Sequence, residues 1–128
     1  MLNFEQLGSN GSDGRPFPWG TNANPKAIPS TTDGPQPRPA TDVDAFPEGV
    51  SPFGVWDLTG NVWQWTDEYR DEHTRAAIVR GGGYYRPSGS DWYFPRNTNL
   101  GQHGKYLLMA PSKDRSPMVG FRCVVDAP

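Results

Sequence analysis

The clearest alternation of apolar and polar positions runs through residues 61–70, in the sequence NVWQWTDEYR. Trp63 and Trp65 fall on one side of this alternation, and Gln64 and Thr66 fall on the other. A period of two residues is typical of a β-strand with one face against the core. We therefore predict a strand here, with both tryptophan rings mostly buried.

Shorter apolar runs predict further strands. A short strand is expected at residues 43–47, a β-rich run at 76–85, and two final strands at 105–111 and 118–125. The run at 76–85 is interrupted by three glycines, which indicate a bend, a bulge or the close approach of another segment.

The rest of the chain lacks periodicity. Residues 1–14 read as a weakly structured lead before a domain at 15–128. In residues 16–20, PFPWG, the prolines predict an extended segment with two aromatic anchors. Residues 22–39 contain five prolines and predict a long loop.

Composition supports a loop-rich fold. The chain has 15 glycines and 14 prolines, and five tryptophans, five tyrosines and six phenylalanines supply much of its apolar surface. This balance disfavours long helices and indicates an aromatic core. With 128 residues the chain forms one domain at most. We predict an irregular α+β or mainly β fold with short strands and dominant loops, and adopt α+β.

Charge and cysteine content exclude several functional classes. Twelve basic and fourteen acidic residues, without a basic run, argue against a nucleic-acid or membrane-surface partner. No apolar stretch is long enough to span a bilayer and no signal peptide is visible, so the compartment stays open. The single cysteine, Cys123, excludes an internal disulfide and a CxxC metal site.

The segment DLTGN, residues 57–61, has the composition of a tight turn. Its carbonyl and carboxylate oxygens could converge on a hard cation. Alternatively, Asp57 and Asn61 hydrogen-bond their own turn while the tryptophans pack. Nearby, Arg80 and Arg122 are expected to pair with carboxylates or backbone carbonyls, because a buried guanidinium must be satisfied.

Five motifs occur in a fixed order, namely PFPWG, VDAFP, FGVWDLTGNVWQWTDEY, VRGGGYY and GFRCV. In this combination the chain resembles the C-terminal portion of the formylglycine-generating enzyme family, also called sulfatase-modifying factors, over about residues 15–125. The resemblance implies a fold related to C-type lectins, with loops around small sheets. Family members carry a further segment ahead of PWG, so we expect a fold truncated at its N-terminus, with a surface that is exposed or covered by another chain.

The resemblance also implies calcium sites. In the family, the turn equivalent to DLTGNVWQW binds calcium through side chains and backbone carbonyls, which fall here on Asp57, Gly60, Val62 and Gln64. Gln64 stands where the family has a glutamate, which removes a charge and lowers the expected affinity. A second, less closely matched calcium loop falls on Asn24, Asp33 and the Pro35 carbonyl.

The catalytic residues of the family are not matched. Its enzymes oxidise a substrate cysteine with oxygen and with copper held by two cysteine thiolates, and soft copper requires such ligands. Arg86 stands near the first cysteine position, and Ser90 or Asp91 near the second. We therefore expect no copper and no catalytic residue, and we expect Cys123 to be a small buried apolar residue.

The two histidines give little support for another metal. We expect His73 on a solvated face and His103 in an exposed loop, and two histidines without a third ligand do not make a typical site.

These observations predict a non-catalytic binding or structural module, a subunit of a larger protein assembly. The expected contact includes the lead, the proline-rich loop and an aromatic and arginine-rich stretch, with Tyr84, Tyr85, Arg86, Tyr93 and Arg96. Two alternatives stay open. One is an oxidoreductase of the formylglycine-generating type completed by another subunit, and the other is a carbohydrate-binding, lectin-like module.

Overall fold

A mixed β-sheet is the framework on which the loops are arranged. The structure, a computed structural model, describes residues 3–9, 11, 13–30, 32–33, 39–70, 73, 76–86, 99–107 and 117–125. In chain order its elements are α1 (Phe4–Gly8), β1 (Thr32–Asp33), a 3-10 turn (Pro47–Gly49), β2 (Trp63–Tyr69), β3 (Ala76–Arg80), β4 (Tyr85–Arg86), β5 (His103–Leu107) and β6 (Val119–Gly120).

The main sheet has the strand order β5-β3-β2-β6. Strand β3 runs antiparallel to β2 and β5, whereas β6 runs parallel to β2. A separate parallel pair, β1 with β4, ties the proline-rich region to the chain after the glycines. The mixed sheet with little helix agrees with the predicted α+β, loop-rich class.

The strand prediction was correct for β2 and β3 and wrong for residues 43–47. That segment forms turns, with the Ala45 N–H donating to the Asp42 carbonyl, and Pro47 then begins the 3-10 turn. Proline fixes its own backbone angle and lacks an N–H, which favours such a helical start over strand pairing.

The faces of β2 differ from the expectation. Trp63 is buried as predicted, whereas Trp65 is 38% exposed, so the ring-bearing side of the strand is fully covered only at Trp63. Polar side chains on the opposite face are buried or half-buried because they hydrogen-bond to the backbone of neighbouring segments. Gln64 is 4% exposed, and the Thr66 hydroxyl donates to the Ile78 carbonyl. The alternation of side chains along β2 was predicted correctly, but the prediction placed the buried face on the side of the tryptophan rings.

The aromatic anchors of PFPWG pack on each other. The chain closes into a tight loop with two backbone hydrogen bonds between Phe17 and Gly20, and the rings of Phe17 and Trp19 stack at a centroid distance of 5.1 Å. The predicted extended segment is therefore a short turn.

A helix in the N-terminal lead is joined to the sheet by an ion-pair network. Strand residue Arg80 pairs with Glu68 on β2 and with Glu5 of α1, both at 2.9 Å. Asn3 and Gln6 form a reciprocal capping box at the start of α1. The expected pairing of Arg80 is confirmed, whereas the expected weak structure of the lead does not hold at Phe4–Gly8.

The glycines after β3 allow two segments to approach closely. Gly81 has φ of 97°, and a Cβ at this position would overlap the Leu58 carbonyl oxygen. The Gly60 N–H also donates to the Gly81 carbonyl, at 2.8 Å. The predicted bend and close approach are confirmed.

Replacement of Gly81 by alanine is expected to destabilise the fold more than the same change at Gly54. Both glycines have positive φ, and left-handed backbone costs an alanine about 1–2 kcal/mol. A Cβ on Gly54 meets nothing within 4 Å, whereas at Gly81 the Leu58 backbone must also move. Urea unfolding of Gly81→Ala and Gly54→Ala measures the difference, and equal losses would show that the close approach carries no cost.

Candidate functional site

The turn between Trp56 and Gln64 is held by a buried asparagine. Asn61 is 3% exposed, and its side chain accepts from the Thr41 N–H at 3.0 Å and donates to the Thr41 carbonyl at 2.9 Å. It also donates to the Asp57 carboxylate at 3.0 Å. Asp57 itself has φ of 55°, a left-handed conformation that is uncommon for residues other than glycine. One amide therefore fixes both the turn and a neighbouring loop.

Gln64 joins this turn to the segment after β6. Its side-chain nitrogen donates to the carbonyls of Asp57 and Leu58, at 3.1 and 3.0 Å. Its side-chain oxygen accepts from Arg122 Nε at 3.1 Å. Arg122 Nη2 also donates to the Trp56 carbonyl at 2.7 Å and, at 3.4 Å, to the Asp57 carbonyl. The expected pairing of Arg122 with carbonyls is confirmed.

The Asp57 carboxylate and the Arg122 guanidinium, which carry opposite charges, are both partly buried. Burial raises the pKa of the Asp57 carboxyl, against the hydrogen bond from Asn61 and the positive charge of Arg122. Burial also lowers the pKa of the Arg122 guanidinium, against the attraction of Asp57. The loss of hydration at each group is thus larger than the attraction between them.

A run of exposed apolar residues follows β6. Phe121, Val124 and Val125 are 79%, 56% and 91% exposed. Within the part of the chain that the structure describes, none of the three makes a hydrogen bond. The outward face of β2 adds Trp65 and Tyr69, which is 59% exposed.

The comparisons with known proteins identify the family. The sequence model of the sulfatase-modifying factor enzyme 1-like domain matches residues 3–127. The chain belongs to the formylglycine-generating enzyme family. The resemblance seen in the five motifs is therefore confirmed.

Three relatives show how the similarity is distributed. The formylglycine-generating enzyme of Bos taurus is 29% identical over 140 residues, covering 91% of this chain and 35% of that protein. The inactive C-alpha-formylglycine-generating enzyme 2 of Bos taurus is 30% identical over 91 residues, covering 63% of this chain and 30% of that protein. Hercynine oxygenase of Mycolicibacterium smegmatis is 44% identical over 52 residues, covering 41% of this chain and 12% of that protein. The chain spans about a third or less of the length of these relatives.

The side chains of the first calcium set implied by the formylglycine-generating enzyme family already have hydrogen-bond partners. Both side chains that would ligate calcium in the first set already accept a hydrogen bond. Asp57 accepts from Asn61, and Gln64 accepts from Arg122. The carbonyls that face Gln64 and Arg122 are those of residues 56–58, whereas the prediction used Gly60 and Val62. Calcium binding at this turn stays a prediction.

The second calcium set lies only partly within the described residues and stays a prediction. The Asn24 side chain donates to Glu48 at 2.9 Å and accepts from the Lys26 N–H at 3.0 Å. Asp33 lies in β1, and Pro35 is outside the described residues. Within the described ranges, no group of three or more His, Cys, Asp or Glu side chains could together hold a metal ion.

Three of the five predicted partner residues lie within the described part of the chain. Tyr84 is 1% exposed and belongs to the core, so its assignment as a surface residue is corrected. Its ring is buried because the chain turns inward at the preceding glycines. Tyr85 and Arg86 form β4, and Tyr93 and Arg96 lie outside the described residues. Ser90 and Asp91, near the second copper-ligand position of the family, also lie outside them.

Cysteine and histidine positions bring two further corrections. Cys123 is exposed rather than buried, because strand pairing ends at Gly120. His103 lies in β5 and is half-buried, not in an exposed loop, whereas His73 is exposed as expected. No helix in the described segments is both long and apolar enough to cross a bilayer.

Sequence reasoning missed the exposed segment after β6 and the pairing of Arg122 with Gln64. Residues 118–125 were expected to form one strand, but β6 includes only Val119–Gly120. One side of the run is apolar throughout whereas the other carries Arg122, which could have indicated a segment with one side held by a polar contact and the other available to a neighbour.

Replacement of Asn61 by alanine is expected to lower the free energy of unfolding by at least about 2 kcal/mol, because each buried group left without a partner costs about 1–3 kcal/mol. The matched control is Asn24→Ala, which removes exposed hydrogen bonds and should cost about 0.5 kcal/mol or less. Denaturant unfolding monitored by tryptophan fluorescence compares them. A small loss for Asn61→Ala would show that the turn does not depend on its amide.

The half-buried His103 predicts a pH dependence of stability. Burial lowers its pKa, with contributions from the positive charges of Lys105, Arg80 and Arg70. The unfolded chain therefore binds more protons as the pH falls through about 6.5, so the free energy of unfolding should decrease there. His103→Gln should reduce this slope between about pH 7 and pH 5. Equal slopes in wild type and His103→Gln would contradict the prediction.

Proposed function

We propose that this chain is a non-catalytic member of the formylglycine-generating enzyme family that acts as a binding module and subunit. The observation that carries the proposal is the exposed apolar segment 121–125, which continues from β6 beyond the end of strand pairing. The proposed partner is another polypeptide that adds a β-strand with apolar side chains to this segment.

The physical basis is exposed apolar surface beside a backbone that, within the described residues, takes no part in strand pairing. Full burial of a Val or Phe side chain contributes about 1.5–3 kcal/mol, and Phe121 and Val125 are 79% and 91% exposed. Unpaired backbone at the end of a sheet is a template for another strand. A partner strand would bury these side chains and pair the backbone of the segment in one step.

The cysteine content supports a non-catalytic role. A copper site of the family type needs two thiolates, whereas the sequence has only Cys123, and Arg86 stands near the first ligand position. One relative of this chain, 30% identical over 91 residues, is itself named an inactive formylglycine-generating enzyme.

Two alternatives have specific support. Similarity to a formylglycine-generating enzyme and to hercynine oxygenase favours an oxidoreductase completed by another subunit. The lectin-like fold that the family resemblance implies, together with exposed Trp65 and Tyr69 on β2, favours carbohydrate binding by ring stacking. Copper or iron at one equivalent in the purified protein supports the first, and retention on immobilised glycans that is lost in Trp65→Ala supports the second.

The association is tested with the tagged chain expressed in its own organism and purified under gentle conditions. We expect it to sediment as a complex whose contact buries more than about 1,000 Å². The double variant Phe121→Ser and Val125→Ser should sediment as a monomer. Val43→Ser is the matched control, because Val43 is 67% exposed elsewhere on the molecule and should not alter the complex.

Cross-linking followed by mass spectrometry locates the contact. Links from residues 121–125 to one partner polypeptide support the proposal, whereas links between copies of this chain indicate self-association instead. A wild-type chain that sediments as a folded monomer, or a complex unaffected by the double variant, would contradict it.

A further inference from the structure

The turn at Trp56–Leu58 presents several backbone carbonyls toward one place, and the groups found there are nitrogen donors. Gln64 Nε2 lies within 3.1 Å of two carbonyl oxygens, and Arg122 Nη2 lies 2.7 Å from a third. Converging carbonyls are also the environment that a calcium ion requires. We propose that the Gln64 amide and the Arg122 guanidinium take the place of a cation in this turn, so that it folds without bound metal.

The orientation of Gln64 follows from the chemistry of its neighbours. A guanidinium can only donate and a carbonyl can only accept, so the amide oxygen must face Arg122 and the amide nitrogen must face the turn. A glutamate at this position could not donate to the carbonyls of Asp57 and Leu58. With glutamate, a cation would be needed between these oxygens, whereas glutamine makes both bonds itself.

The charge of Arg122 also opposes calcium. The guanidinium donates to the Gln64 oxygen, which the resemblance named as a calcium ligand, and lies close enough to Asp57 to affect its pKa. A divalent cation on these oxygens would be repelled by the guanidinium at short range. The residues present therefore do not fit calcium while Arg122 occupies this position.

The remaining donors do not change this result. Asp57 is the only carboxylate of the predicted set, and one of its oxygens accepts from Asn61. Two buried side-chain oxygens have no hydrogen-bond partner in the described part of the chain, those of Thr41 and Thr59, and both belong to neutral hydroxyls outside the predicted set. Calcium affinity falls as the number of charged ligands falls.

The test compares wild type with the double variant Gln64→Glu and Arg122→Met. The double variant restores the carboxylate and removes the competing charge. The matched control, Gln102→Glu with Arg15→Met, makes the same two kinds of change away from the turn. Each protein is dialysed against calcium, and its melting temperature is measured with excess calcium and with a chelator. Terbium, whose luminescence is excited through the nearby Trp63, provides a second readout of binding at this turn.

We expect wild type and control to bind no calcium and to show no shift in melting temperature. The double variant should bind one equivalent, with terbium luminescence and a rise of roughly 5–10 °C in excess calcium. If it is unfolded in chelator, recovery of the fold on adding calcium supports the proposal equally. One equivalent bound by wild type would overturn it, as would a double variant that neither binds calcium nor refolds with it. The measurement needs no partner, so its outcome is independent of the proposed association.

Discussion

Two buried amide side chains, those of Asn61 and Gln64, hold the turn between Trp56 and Gln64 in place, and the surrounding structure depends on them. Asn61 connects the turn to the loop at Thr41, and Gln64 connects it to Arg122 beyond β6. Because β2 begins at Trp63, an error in the turn would displace the central strand of the sheet. A domain with few aliphatic residues thus uses specific hydrogen bonds where a larger core would use packing, and each such bond matters because an unpaired buried group is costly.

The proposed binding surface lies where the pairing of the sheet ends. Strand β6 pairs with β2 through only two residues, and among the described residues the segment that follows pairs with no strand. Arg122 lies inside this segment and is held to the turn, which fixes the position of Phe121 on one side and Cys123 on the other. The proposed binding segment is therefore anchored at one point, and its apolar side chains are available for contact.

Much of the secondary structure could be predicted from the sequence, whereas the candidate site around the turn could be predicted only in part. The alternation in residues 61–70 predicted β2, and the three glycines predicted the close approach at Gly81. Alternation alone could not give the buried face of β2, because the size of the tryptophan rings suggested one side and the hydrogen-bonding needs of the turn selected the other. The pairing of Gln64 with Arg122 joins residues 58 positions apart, and no local pattern records such a contact.

The contact between Gln64 and Arg122 also has a consequence for synthesis of the chain. Residue 122 leaves the ribosome long after the turn at Trp56–Leu58 has been synthesised. The hydrogen bond from Arg122 to the Trp56 carbonyl therefore forms only after that turn has left the ribosome. Parallel pairing of Trp63 with Val119 imposes the same delay on the edge of β2. Contacts between residues far apart in sequence form late because the intervening loop must first be closed. During translation, the nascent chain would therefore display Trp63 before the last strand arrives, and a ribosome-associated chaperone would meet an indole ring that the finished protein buries.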